Sequence, residues 1–147
     1  MSDDASSEFS QAEILLESTL ESVDRAEAEV LRVAQTCGMV EDDQLRLGMA
    51  VRESVVNAVV HGNRYNSHKR VHLRIARSRE SLQVEIADEG EGFELSSVPD
   101  PLAQENLLRQ SGRGILLIQA FVDEFRVKRG PSTGTEVRLV KYLNREP

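Results

Sequence analysis

Alternating hydrophobic and polar positions predict a series of short strands. The first is predicted near the N-terminus, where every second residue would face a core: Ile14, Leu16, Ser18 and Leu20. The same period of two predicts a hairpin with its turn at residues 78–81, and its strands bury Val71, Leu73 and Ile75, then Leu82, Val84 and Ile86. Two further strands are predicted at residues 125–128 and 135–143.

Helical spacing of hydrophobic residues predicts three helices. The first should stop at Gly38, after Val23, Ala26, Val30, Ala34 and Cys37. The second should begin after Asp42 or Asp43, because either residue suits an N-cap, and should end at Gly62. The third is predicted at residues 115–121, and residues 94–110, which contain two prolines, predict a loop or lid. Helices on one face of a mostly antiparallel sheet make a two-layer α/β (α+β) sandwich.

The second helix carries hydrophobic residues around most of its circumference, which predicts that it is largely buried: Leu45, Leu47, Met49, Val51, Val55, Val56, Val59 and Val60. Glu53 and Asn57 lie four residues apart and therefore share one face of this helix. An ionised carboxylate in that setting needs a partner or a wet cleft. A solvent-facing stripe shared with Arg46 is the alternative interpretation.

Length and composition limit the kind of protein. A chain of 147 residues supports one core, so we expect a single domain at residues 13–147 after a flexible segment at residues 1–12. The net charge of −7 argues against direct nucleic-acid binding and favours a protein partner. The absence of a long apolar run argues against a membrane span, and a single cysteine fits the cytoplasm.

Two glycine-containing motifs add candidate chemistry. Asp88 ends a predicted strand and is followed by Gly90 and Gly92, where backbone could approach a ligand closely while the carboxylate accepts a hydrogen bond from an adenine amino group. An acidic hairpin turn is the alternative. The second motif, Gly112-Arg113-Gly114, opens a predicted helix and could direct backbone N–H groups at phosphate, although a flexible loop has the same composition.

The order of these motifs resembles the GHKL superfamily of ATP-binding domains, which have the Bergerat fold. Within it, the chain is most similar to the anti-sigma factor and serine-protein kinase family of bacterial partner-switching systems. The resemblance covers residues 14–143. It implies that Glu53 is the general base and that Asn57 ligates Mg²⁺. The nucleotide-binding residues it implies are Asn57, Asp88, Gly90, Gly92, Gly112, Arg113, Gly114 and Thr135, with Thr135 supporting Asp88. Arg109 and Arg113 could meet the γ-phosphate, or could be solvated lid charges.

Several functions share this fold. A sensor histidine kinase needs a helical dimerisation domain, and a topoisomerase or chaperone needs a transducer domain; neither fits in this length. The resemblance therefore implies an ATP- and Mg²⁺-dependent serine/threonine protein kinase that acts as an anti-sigma factor. It would phosphorylate a STAS-type antagonist, bind a sigma factor and form a homodimer. A non-catalytic ATP-dependent binding module, and a kinase in a pathway without a sigma factor, remain alternatives.

Overall fold

A computed structural model describes residues 9–91, 114–130 and 133–143. Five strands form one sheet with the spatial order β1-β2-β3-β5-β4, and each neighbouring pair is antiparallel. The strands are β1 (Phe9–Glu17), β2 (Arg70–Arg77), β3 (Ser81–Ala87), β4 (Glu124–Arg129) and β5 (Thr135–Tyr142). The helices are α1 (Glu21–Thr36), α2 (Glu41–Val56), which continues as a π-helical segment (Asn57–Gly62), and α3 (Gly114–Phe121).

The hydrophobic core lies between these helices and one face of the sheet. Helix α2 packs against both α1 and α3. The largest fully buried side chains come from both layers: Leu16, Leu73, Ile75, Leu82, Ile86 and Leu139 from strands, and Val30, Leu47, Val51, Val55 and Ile118 from helices. This arrangement confirms the predicted two-layer sandwich, because period-two residues of the strands meet helical stripes in one core.

The ends of two elements differ from the prediction. Strand β1 runs over Phe9–Glu17 and stops before Ser18, which is buried in the following turn. Helix α2 begins at Glu41 after Val40, whose side chain makes no capping hydrogen bond. The first turn contains three acidic residues, which lie at the positive end of the helix dipole: Glu41, Asp42 and Asp43. Neither Asp42 nor Asp43 is therefore the N-cap.

The prediction of a largely buried second helix was wrong for its outer side. Leu47, Val51 and Val55 are fully buried, but Leu45 is 62% exposed and Met49 is 46% exposed. The helix buries the side that packs on α1, α3 and the sheet, and the remaining side faces solvent. The apolar residues of this helix are therefore not all buried.

The last part of the predicted second helix is π-helical rather than α-helical. The N–H of Asn63 donates to the carbonyl of Ala58 at 2.8 Å, five residues back. Such widened turns are rare and recur at functional sites. This one begins at Asn57, so the local geometry changes at a residue already singled out by the sequence.

Among the helices in the described ranges, none combines the length and the hydrophobicity needed to cross a bilayer.

Candidate functional site

Asp88 follows strand β3 and is buried, with 8% of its surface exposed. Its Oδ1 accepts hydrogen bonds from the backbone N–H groups of Gly90, at 2.9 Å, and Thr135, at 3.2 Å. The N–H of Asp88 donates to the Thr135 carbonyl at 3.0 Å. These bonds fix the carboxylate through Oδ1, and since no described residue donates a hydrogen bond to Oδ2, that oxygen could accept one from a ligand.

Three glycines allow the backbone to pack closely around this carboxylate. A Cβ atom added to Gly62 would overlap the Asp88 carboxylate, and one added to Gly90 would overlap the Gly62 carbonyl. A Cβ atom at Gly134 would overlap the backbone of Asp88, and Gly134 also has a φ of +80°. The surroundings of Asp88 are therefore built from backbone, which side chains could not replace.

The environment raises the pKa of Asp88 above its ordinary value of 3.8. Burial is the main cause, because it disfavours the charged carboxylate. The hydrogen bonds from Gly90 and Thr135 and the positive charge of Lys69 oppose this shift. The site thus carries a desolvation cost for an ionised group, which is typical of a carboxylate kept for binding rather than for stability.

Glu53 and Asn57 converge on the start of helix α3. A Cβ atom added to Gly114 would lie 2.8 Å from Glu53 Oε1, 3.8 Å from Asn57 Nδ2 and 3.9 Å from Asn57 Oδ1. Both side chains are half-buried. The structure therefore brings the pair Glu53 and Asn57, predicted to share one helical face, next to Gly114, which the sequence predicted in a separate motif.

A cavity of about 260 Å³ lies between Asn57 and the residues around Asp88. Asn57 lines one part and Asp88 with Thr135 another, while Ile86, Ile115 and Val137 give it apolar walls. A planar base could pack on these walls, because ligand pockets are mostly apolar with a few orienting polar groups. Glu53 is not part of the cavity wall and lies one helical turn from Asn57, beside Gly114.

The sequence analysis missed several residues of this site. Gly62 and Asn63 line the cavity at the end of the π-helical segment, and Arg64 and Lys69 add positive charge that suits an anionic ligand. No hydrophobic period marks these positions. The succession His61-Gly62-Asn63 is typical of an ordinary helix end, and only the tertiary contacts show that it borders the cavity.

Four of the predicted residues cannot be placed. Gly92, Arg109, Gly112 and Arg113 lie outside the described residues, so their predicted roles in the base pocket and the phosphate lid stay predictions.

The described residues contain no cluster of three or more His, Cys, Asp or Glu side chains that could hold a metal ion by themselves. Mg²⁺ does not need such a cluster, because it commonly takes one or two protein ligands and completes its shell with water and substrate phosphates. Asn57 lines the cavity, and its side-chain amide oxygen is of the type that can ligate Mg²⁺.

Comparison with known proteins finds a matching family and similar curated proteins. The family of the histidine kinase-like ATPase domain matches residues 16–141. Similar curated proteins include the anti-sigma F factor of Bacillus subtilis (strain 168), 29% identical over 71% of this chain and 73% of the relative. The anti-sigma F factor of Bacillus cereus (strain AH187) is 34% identical over 64% of this chain and 66% of that protein.

Solved structures also share the fold. The structure of the RsbU and RsbW domains of Rv1364c from Mycobacterium tuberculosis matches 92% of this chain with a TM-score of 0.67 at 21% identity. This chain covers about a third of that one, 33%. The mycobacterial sensor histidine kinase MprB matches 92% of this chain and 99% of its own with a TM-score of 0.57 at 19% identity. Since the family match spans both the Asp88 site and the Glu53–Asn57 site, the chain belongs to the histidine kinase-like ATPase domain family, a nucleotide-binding fold of the GHKL type.

Proposed function

We propose that this protein is an ATP- and Mg²⁺-dependent serine/threonine protein kinase that acts as an anti-sigma factor. It would phosphorylate a STAS-type antagonist and bind a sigma factor, as a homodimer in the cytoplasm. The names of the anti-sigma F factors to which the chain is similar support the regulatory part of this proposal. The catalytic part rests on the site itself.

The observation that carries the proposal is the convergence of Glu53 and Asn57 on Gly114, next to a cavity that also holds Asp88. Asp88 Oδ2 accepts no hydrogen bond from the residues that the structure describes, and it is suited to an adenine amino group. With the base at Asp88, the phosphates of ATP would extend toward Asn57 and the start of α3. A carboxylate beside the phosphates is unnecessary for mere binding, because it repels them.

The proposed chemistry assigns each group one task. Mg²⁺ would neutralise charge on the phosphate oxygens, with the Asn57 amide oxygen as its protein ligand. Glu53 would accept the proton of a serine or threonine hydroxyl on the partner as that oxygen bonds to the γ-phosphorus. The bond from the γ-phosphorus to the bridging oxygen breaks, and ADP leaves with the electron pair. The backbone N–H groups at the start of α3 would help to stabilise the transferring phosphoryl group.

The Glu53→Gln variant tests the catalytic role. Glutamine keeps the size of the side chain but cannot accept the proton, so single-turnover transfer to the partner should fall by about 10²–10⁴-fold. ATP affinity should not fall, because the charge that repels the phosphates is removed, and the melting temperature should stay close to that of the parent. Glu41→Gln is the matched control, because it removes the same charge from an exposed position on the same helix.

Two outcomes would contradict the catalytic role. Full transfer by a folded, ATP-binding Glu53→Gln protein would exclude Glu53 as the base. Failure of the parent to phosphorylate any captured partner would favour the non-catalytic binding module.

Affinity capture with ATP and with ADP tests the proposed partners. A sigma factor or a small STAS-domain protein should be retained, and the retained STAS protein should gain a phosphate on serine or threonine. Retention of neither class would overturn the anti-sigma assignment and leave open a kinase in another pathway.

A further inference from the structure

Asn63 is a buried polar residue at the end of the π-helical segment, with 1% of its surface exposed. Its Nδ2 donates to Ser18 Oγ and to the carbonyl of Arg70, both at 2.9 Å. Its Oδ1 accepts the backbone N–H of Glu89 at 2.7 Å. The Arg70 carbonyl can only accept and the Glu89 N–H can only donate, so these two partners fix the orientation of the amide.

The bond to Glu89 places Asn63 next to the nucleotide-binding carboxylate. Glu89 directly follows Asp88, and Gly90 donates its N–H to Asp88 Oδ1. The segment 88–90 is therefore held from two sides: Asn63 holds the N–H of Glu89, and the N–H groups of Gly90 and Thr135 hold the carboxylate of Asp88. Without Asn63, the buried segment would lose the anchor between Asp88 and Gly90.

We propose that Asn63 is a positioning residue for base selection, which sets the direction of the Asp88 carboxylate by holding the Glu89 amide. This inference rests on the proposed binding of ATP through Asp88. A carboxylate that points correctly distinguishes the amino group of adenine from the carbonyl oxygen of hypoxanthine. A carboxylate that is free to turn loses that distinction before it loses all affinity for the nucleotide.

Ser18 provides a matched control. It is also buried, accepts the hydrogen bond from Asn63 Nδ2, and donates its hydroxyl to the Lys69 carbonyl at 2.6 Å. Ser18→Ala removes this part of the network but leaves the bond between Asn63 Oδ1 and the Glu89 N–H. A general loss of stability should appear in both Ser18→Ala and Asn63→Ala, whereas a loss of base selection should appear only in Asn63→Ala.

The experiment measures the affinities for ATP and inosine triphosphate by calorimetry, at a temperature at which each variant is folded. In the parent, one charge-assisted hydrogen bond predicts a preference for ATP of roughly 10- to 150-fold. In Asn63→Ala the preference for ATP over inosine triphosphate should fall by about tenfold or more, because the Asp88 carboxylate is no longer held in one direction. Ser18→Ala should keep the preference within about threefold of the parent.

The outcomes separate this inference from the proposed function. A parent with no preference for ATP would overturn the role of Asp88 and this inference with it. A parent that prefers ATP, together with an unchanged preference in Asn63→Ala, would overturn only the role of Asn63. An equal loss in Ser18→Ala would also overturn it. If Asn63→Ala does not fold, Asn63→Ser takes its place, because serine is too short to reach the Glu89 amide.

Discussion

The two ends of the candidate site are built differently. At the Asp88 end, a buried carboxylate is held by backbone N–H groups and surrounded by glycines that leave no room for a side chain. At the Glu53 end, two half-buried side chains meet Gly114, and within the described part of the chain neither makes a side-chain hydrogen bond or ion pair. The first end is held by backbone hydrogen bonds, while the second is formed by side chains for which the described residues provide no such bond.

This difference matches the tasks proposed for the two ends. Recognition of a base gains from a preformed acceptor, because less conformational freedom is lost on binding. A metal ligand and a general base must instead adjust to the phosphates and to the incoming hydroxyl. The contrast therefore predicts that equal substitutions have unequal effects at the two ends.

The largest effect on stability should come from adding a methyl group at the Asp88 end. Gly134→Ala combines a left-handed backbone with a Cβ atom against the Asp88 backbone. The unfolding free energy should fall by about 2–5 kcal/mol, because the backbone strain and the overpacking add.

Gly114→Ala is the matched substitution at the other end, where the Cβ atom meets the tip of the Glu53 side chain. That tip can move, so the unfolding free energy should change by less than about 1 kcal/mol. Chemical denaturation of both variants measures the difference. Equal destabilisation would show that the two ends are equally rigid.

At the Glu53 end, Asn57→Ala should abolish the increase in ATP affinity that Mg²⁺ produces. The physical reason is that Mg²⁺ has few protein ligands and depends on each of them. Calorimetry with and without Mg²⁺ measures the effect, and Asn66→Ala is a control on the cavity wall. Equal enhancement by Mg²⁺ in Asn57→Ala and the parent would remove Asn57 as a metal ligand.

ATP affinity should decrease as the pH falls, and the part due to Asp88 should titrate above the ordinary aspartate pKa of 3.8. The ionised carboxylate accepts the adenine hydrogen bond, and burial raises its pKa. Because the folded-state pKa exceeds the unfolded one, ionisation of Asp88 costs stability as the pH rises through this range. Asp88→Asn should lack this pH dependence, which separates it from the titration of the nucleotide phosphates.

The smallest effect should come from the surface pair of His72 and Glu89. His72 Nε2 lies 2.6 Å from Glu89 Oε2, and this hydrogen bond is the main cause that lowers the pKa of Glu89. The stabilisation from Glu89 is present above its unfolded pKa and is lost as the pH falls through the folded one. Since both side chains are exposed, His72→Ala should cost less than about 0.5 kcal/mol in unfolding free energy. A larger cost would mean that the pair supports the Asp88 segment.

The fold was largely predictable because each strand and helix carries its own hydrophobic period. Val71, Leu73 and Ile75 alternate because β2 has one buried face, and the helical spacing in α1 reflects one packed side. Glu53 and Asn57 were predictable together because residues four apart share a helical face. Their roles in the site stay predictions.

The remaining features depend on contacts between distant parts of the chain. The π-helical turn, the burial of Asn63 and the packing of Gly62 against Asp88 leave no periodic pattern in the sequence. The exposure of Leu45 and Met49 also could not be predicted, because an apolar residue alone does not show whether a neighbouring element covers it.

The central claim is that Asp88 binds the adenine base, and the ATP affinity of Asp88→Asn tests it most directly. This substitution removes the charge that the fixed end of the site holds. Calorimetry should show an ATP affinity reduced by about 1.5–3 kcal/mol, or roughly 10- to 150-fold, since a charge-assisted hydrogen bond is lost. The melting temperature at neutral pH should not fall, because the desolvation cost of the buried carboxylate is also removed. An unchanged ATP affinity in this folded variant would contradict the assignment of Asp88 to the adenine base and, with it, the account of the site.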